Sequence, residues 1–374
     1  MKVGADLSKI KSFFKNESVF SISALCAIIT MFFVPPSKEY VEYIDFRVLC
    51  LLFCLMAVVA GFKSLGAFKW LTHEMLHRTD NGRILGVILV MLPFFCSMFV
   101  TNDVALLVFV PFTLALLTSL KLQKFSITIL VLQTIAANLG SMATPVGNPQ
   151  NLYLYSAFNL SALEFFSVVI PLTAFSFTLL GIVSFFILPK KLPEQNFDEE
   201  KIDDKKKLII YALLFIVCLL TIFRVIPYVV TTLIIVLVVI ILDRKLFKEI
   251  DFMLLLTFVC FFVISENLGR IEAIREFLQT ILLKSTLLTS VGASQIISNV
   301  PAAVLLSTFT DDWKDLLAGV NIGGLGTPIA SLASLITLKL YMKNSDAKTG
   351  KFLVVFTVAN VIGLLVLLAF SYLT

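Results

Sequence analysis

Uninterrupted apolar stretches near residues 17–35, 46–62, 165–188, 207–224, 226–242 and 350–373, with a slightly shorter one at 252–267, run through this chain. At 1.5 Å per residue, each is about as long as a helix needs to cross a hydrocarbon core of roughly 30 Å. In that medium every backbone N–H and C=O must be satisfied within the protein, so the expected fold is all-α and polytopic. The composition agrees, with 59% apolar and only 15% charged residues, and 35 Phe against 2 Trp. The first stretch is as apolar as a signal peptide, but "FVPPSKEY" after it has no small-x-small cleavage pattern and further spans follow, so it reads as a helix. A formal charge of +5 is what orienting loop charges produce, and no nucleic-acid partner is expected from it. Cys26, Cys50, Cys54, Cys96, Cys218 and Cys260 all lie in apolar stretches without CxxC spacing and read as small buried hydrophobes.

Four other apolar regions are broken by polar residues: "MFVTNDVALL" (98–107), "AANLGSMATPVGNPQN" (136–151), "SQIISNVPAAV" (294–304) and "GVNIGGLGTPIASLAS" (319–334). Backbone that leaves a helix at membrane depth is tolerable only where protein or a wet cavity satisfies it. The breaks also pair. Thr101-Asn102 matches Ser298-Asn299, "NLGSMATP" (138–145) matches "NIGGLGTP" (321–328), and "IDF" opens an apolar span at both 44 and 250. Order is preserved throughout, as an internal repeat requires.

Treating 84–120 and 284–310 as re-entrant hairpins with the Asn motifs at their tips leaves about nine crossings. The chain then crosses five times between the two "IDF" starts, near 46, 125, 165, 207 and 226. Five is odd, so the halves face opposite ways. The first half is 1–188: a scaffold helix, the helix 46–62, an arm at 64–78, the hairpin, a broken helix at 125–160 and the helix 165–188. A charged linker at 189–206 follows. The inverted half, 207–374, holds helices within 207–242, the helix 252–267, an arm at 269–283, the hairpin 284–310, a broken helix at 313–343 and the helix 350–373. With the N-terminus cytoplasmic and the C-terminus outside, only Lys38, Arg47, Arg224, Arg270, Arg275, Lys284 and Lys314 face outward. The remaining Lys and Arg fall inside, satisfying the positive-inside rule for a multi-pass protein of the cytoplasmic membrane.

Inverted repeats with broken helices are the architecture of secondary transporters. Half-helices starting after Asp103, near Gln150, after Val300 and near Ile329 would aim the positive ends of their dipoles at one volume suited to an anion. No Lys or Arg lies in the four breaks, so binding would rest on backbone N–H groups, hydroxyls, Asn amides and a co-bound cation.

These hairpin-tip and Thr-Pro motifs resemble those of the ion transporter superfamily, which includes divalent anion/sodium symporters, citrate transporters and arsenite permeases, over the chain from about residue 45 onward. The resemblance implies substrate and ion binding by Thr101, Asn102, Ser298 and Asn299 at the tips, and by Thr144, Pro145, Asn148, Asn151, Thr327, Pro328 and Ser331 in the facing loops. It also implies a moving unit of hairpins and loops, a scaffold of the spans near 17, 207 and 226, and a homodimer through that scaffold. "TNDVALLVFVP", "SNVPAAVLL" and "GTPIASLAS" are most similar to the arsenite-permease branch, and "ATPVGNPQNLYLY" to anion permeases related to the citrate transporters. The third tip position, Ser-Asn-Thr in the dicarboxylate branch, is Asp103 in one half and Val300 in the other.

A fixed carboxylate beside an anion site repels the anion until a proton or sodium ion neutralises it. Asp103 is therefore the expected coupling-ion residue, because an ionisable group at that depth costs roughly 2.5 kcal/mol or more to insert; it could equally cap the following half-helix. The expected function is transport of a small anion, a carboxylate or an arsenite-like oxyanion, coupled to Na+ or H+, with no other cofactor. Channel activity on the same fold is one alternative. The other is an intramembrane zinc protease built on His73-Glu74-x-x-His77, which sets two imidazoles and a carboxylate at metalloprotease spacing. That enzyme needs a third ligand on a later span, and the chain has no third His and no Asp in a later apolar span, so the motif reads as chance. Trp70, Leu71 and Leu76 instead suggest an interfacial arm, with Lys69, His73, His77 and Arg78 toward the headgroups of the bilayer.

Overall fold

The computed structural model describes residues 17–67, 70, 81–191, 204–344 and 347–373. Among the described residues the regular structure is helical, apart from one bridge between Asn81 and Lys191. His73, Glu74 and His77, with most of the first arm and of the 189–206 linker, lie outside them. The first half comprises α1 (Ser18–Phe33), α2 (Phe46–Ser64), α3 (Gly82–Val100), α4 (Asn102–Ser119), α5 (Ser126–Ser141), α6 (Pro149–Ala157) and α7 (Ala162–Phe185). After it come α8 (Lys205–Ile222), α9 (Tyr228–Leu242), α10 (Phe252–Gly269), α11 (Glu272–Lys284), α12 (Thr286–Ile297), α13 (Asn299–Ser307), α14 (Trp313–Ile322), α15 (Leu332–Met342) and α16 (Thr349–Ser371). Phe32 on α1 is 82% exposed and Ile241 on α9 77%, an outward apolar surface that suits lipid and not water.

The echoed "IDF" is a pair of matched helix starts. Asp45 accepts a hydrogen bond from Val48 N at 3.0 Å, and Asp251 one from Leu254 N at 2.8 Å, each carboxylate satisfying a backbone donor that a first turn leaves without a partner. The hairpins match in kind but not in size. The arms α3 and α4 run 19 and 18 residues, α12 and α13 only 12 and 9. Each arm of the first is apolar and long enough to cross a membrane by itself. A crossing pair and a re-entrant pair both contribute an even number, so the expected inversion does not depend on which it is.

The halves interlock. α1 packs on α10 of the second half, where Asn267 Nδ2 donates to Thr30 Oγ1 at 3.0 Å and to Tyr40 Oη at 2.9 Å. α9 packs on α2 of the first half, where Cys54 Sγ lies 3.5 Å from Thr232 Oγ1. One buried cluster joins Leu51, Leu152, Phe258, Val300 and Leu317; another joins Leu106, Leu130, Leu287, Ala333 and Phe352. Each of these two draws on both halves, while smaller clusters around Leu89 and Leu117 and around Cys96 and Phe109 belong to the first half alone. The second arm is α11, an amphipathic helix leading into α12 as its spacing predicts.

Candidate functional site

Each hairpin turns on a single residue. Thr101 adopts φ 75°, ψ 148° and Ser298 φ 76°, ψ 153°, a region that only glycine enters freely. Each costs about 1–3 kcal/mol and persists because its surroundings hold it. The restraint is the same on both sides. Asn102 N donates to Gly147 O at 3.3 Å, and Asn299 N to Ala330 O at 3.0 Å. The Thr144 hydroxyl donates to Met98 O, and the Thr327 hydroxyl to Gln295 O at 3.2 Å. Counted from the tips and from the Thr-Pro pairs, these partners occupy equivalent places, so each Thr-Pro loop is stitched to its own hairpin in one register.

Side-chain amides then join the halves. Asn138 Oδ1 accepts from Asn102 Nδ2 at 2.9 Å and from Ser331 Oγ at 3.0 Å, while its Nδ2 reaches Gly324 O at 3.4 Å. Its repeat partner Asn321 donates to Asn151 Oδ1 at 2.7 Å and accepts from Asn148 Nδ2 at 3.2 Å. Asn148 also caps α6 through Asn151 N at 2.8 Å. A buried polar network this well paired specifies one geometry, because each lost partner would strand a desolvated group. Asn299 is the exception: it is 4% exposed, and its side-chain amide makes no hydrogen bond among the described residues. A Cβ at Gly324 would lie 2.9 Å from its Nδ2, so the backbone approaches this amide as closely as glycine permits.

The amide network joins Asn102, Asn148 and Asn151 of the first half to Asn321 and Ser331 of the second, while Thr101 and Ser298 form the tips, and Thr144-Pro145 and Thr327-Pro328 lie in loops whose threonines bond their own hairpins. The half-helices begin at Asn102, Pro149, Asn299 and Leu332, within three residues of the expected points. Asp103 is not a cap: it is the second residue of α4, whose N-cap Thr101 has no side-chain cap bond. The tip residue has to take the reversing φ, and this pushes Asp103 into the first turn. There its carboxylate lines a cavity of about 200 Å³ with Asp251, Thr257 and Lys339.

Asn138, Asn321 and Gln295 do not stand out as site residues in the sequence, although both asparagines open the repeated "NxG" motifs. Gln295 gives no such signal. Its Nε2 donates to Gly323 O and Leu325 O, both at 2.9 Å, and its Oε1 accepts from Thr327 N at 2.8 Å. Gln295→Leu would leave those three backbone groups unpaired in a half-buried loop, at about 1–3 kcal/mol for a stranded group. The expected result is a lower unfolding midpoint for the detergent-purified protein; an unchanged midpoint would show that the loop stands without this clamp.

The chain has sequence relatives elsewhere. Residues 15–311 match the family described as citrate transporter. The chain belongs to that family. Across nearly its full length it is similar to the protein named "Uncharacterized transporter MJ0456" of Methanocaldococcus jannaschii, 35% identical over 338 residues, or 89% of this chain and 91% of that one. "Inner membrane protein YbiR" of Escherichia coli is 29% identical over 332 residues, 87% of this chain and 88% of the relative. "Silicon efflux transporter LSI3" of Oryza sativa matches at 32% over 144 residues, 38% of this chain and 29% of that protein. A citrate transporter family member is a multi-pass membrane transporter, and the helices found here are those of that class.

Proposed function

We propose that this protein is a secondary active transporter that moves a small anion across the cytoplasmic membrane by alternating access, coupled to a Na+ or H+ gradient. One observation carries the reading: two strained tips and two Thr-Pro loops, related by the repeat, converge on a shared amide network without a single Lys or Arg in the four breaks. Four helix N-termini and the Asn299 amide can hold an anion there, and Asp103 supplies the negative charge that makes a cation obligatory. Carboxylates such as citrate or a dicarboxylate fit these groups, and so does an arsenite-like oxyanion. The positive-inside distribution supports a cytoplasmic N-terminus and an external C-terminus. A homodimer would form through the scaffold helices α8 and α9, whose outward faces carry Leu213 and Leu233.

A thermal-shift panel on the purified protein tests the proposal, with citrate, succinate, arsenite and antimonite each assayed in sodium, in a sodium-free salt and across pH. Stabilisation by one anion only with sodium, or only as pH falls, is expected; a solute at a hundred times its Kd adds about 2.7 kcal/mol. Zinc-dependent stabilisation with peptide cleavage would instead support the protease alternative. A channel would pass the anion without uphill accumulation in proteoliposomes.

A further inference from the structure

The tips, the Thr-Pro loops and the "IDF" starts set a residue correspondence between the halves: Asp45 with Asp251, Asp103 with Val300, Leu152 with Leu335, Tyr153 with Ile336 and Ser156 with Lys339. Corresponding places should look alike if the two faces were equivalent. They do not.

At the start of α2, Asp45 uses both carboxylate oxygens. Oδ1 caps Val48 N at 3.0 Å, and Oδ2 accepts from Ser156 Oγ on α6 at 3.3 Å. The surroundings are filled: Leu152 is 1% exposed, Val300 7% and Tyr153 9%, and the Tyr153 hydroxyl lies 2.8 Å from Ser307 Oγ. At the start of α10, Asp251 Oδ1 caps Leu254 N at 2.8 Å in the same way, but its other oxygen has no partner among the described residues. Lys339 on α15 stands where Ser156 stands on α6, yet it is exposed and unpaired with Asp251; the ion pairs between described residues are Lys63–Glu249 and Arg270–Glu39. The space between holds the cavity of about 200 Å³ that reaches Asp103. One arrangement of matched parts is closed and the other open, and inversion puts them on opposite faces.

The geometry points to Asp251 and Lys339 as the two sides of a gate. In this structure the gate is open and gives Asp103 its path to one face, the cytoplasmic one by the charge rule, because α10 follows 243–250 and α15 runs into 339–351. In the opposite state Lys339 pairs with Asp251 as Ser156 now pairs with Asp45, and the Asp45–Ser156 contact opens. The pair joins α10 to the broken helix of the proposed moving unit. A partly exposed Lys–Asp pair is worth at most about 1 kcal/mol, strong enough to bias two states and weak enough to break in every cycle. This inference rests on the alternating-access reading.

Thiols at the two matched leucines report the two faces. In a background with the native cysteines replaced, Leu335→Cys and Leu152→Cys are labelled with a membrane-impermeant maleimide in inside-out and right-side-out vesicles. Leu335→Cys should label rapidly from the inside, and Leu152→Cys slowly from the outside, at a rate set by the population of the opposite state. Lys339→Asp, or Asp251→Asn, which keeps the cap oxygen, should slow Leu152→Cys labelling about fivefold by weakening the closed gate. Combining Asp251→Asn with Lys339→Asp should slow it no further than Asp251→Asn alone, because the pair is already broken, whereas two independent structural effects would add. If Leu152→Cys labels from the outside but ignores these substitutions, the gate is wrong while alternation stands. If its thiol never labels while that of Leu335→Cys does, alternating access itself falls, and the gate with it.

Discussion

Asp103→Asn is expected to abolish concentrative uptake in proteoliposomes while leaving exchange of the same anion down its gradient intact. The substitution keeps the shape of the first turn of α4 and removes the charge, so the site resembles its cation-neutralised state at all times. Anion binding should then no longer need the cation. The lost coupling should reach roughly 100-fold in the accumulation ratio, toward the upper end of usual coupling free energies. Full gradient-driven accumulation by the variant would remove Asp103 from the coupling mechanism. The equivalent position in the other hairpin is Val300, 7% exposed in a packed cluster, so the second tip offers no carboxylate of its own.

The second large effect is expected at Gly140→Val. Gly140 lies where α5 crosses α3, and a Cβ there would come within 2.7 Å of the Phe94 carbonyl carbon and 2.8 Å of its Cα. Those are backbone atoms in mid-helix and cannot step aside, so α3 must move as a body. Overpacking of this kind should cost about 3 kcal/mol. The unfolding midpoint in detergent should drop, and anion-dependent stabilisation should go with it, because α3 leads into the tip at which Asn102 N donates to Gly147 O. Gly181→Ala is the control: its Cβ would meet only the flexible Met91 Cε at 3.8 Å, and the midpoint should hardly change. Equal tolerance at both positions would show that the hairpin does not depend on this contact.

Much of the site was legible before the fold was known, because a polar break in a lipid-bathed helix has few explanations and a repeated break has fewer. The paired tips, the paired Thr-Pro loops and the matched "IDF" starts all take equivalent backbone roles. Asp103 was legible as an unusual charge but not as a first-turn residue, since the reversing φ at Thr101 moves the helix start by two positions. Gln295 was not legible at all. A glutamine in an apolar helix becomes a loop clamp only when three backbone groups lie within its reach, and sequence spacing does not show that.

The sequence by itself determined the class and the repeated motifs, because hydropathy and motif order act along the chain and need no partner to be read. Only the tertiary structure decided that α1 and α9 cross over to the opposite half and that Asn138 and Asn321 tie the repeats together. It alone also decided that Asp45 bonds Ser156 while Asp251 and Lys339 make no ion pair with each other. Matched sequences permit both arrangements at either place. Which one forms is set by packing between segments far apart in the chain.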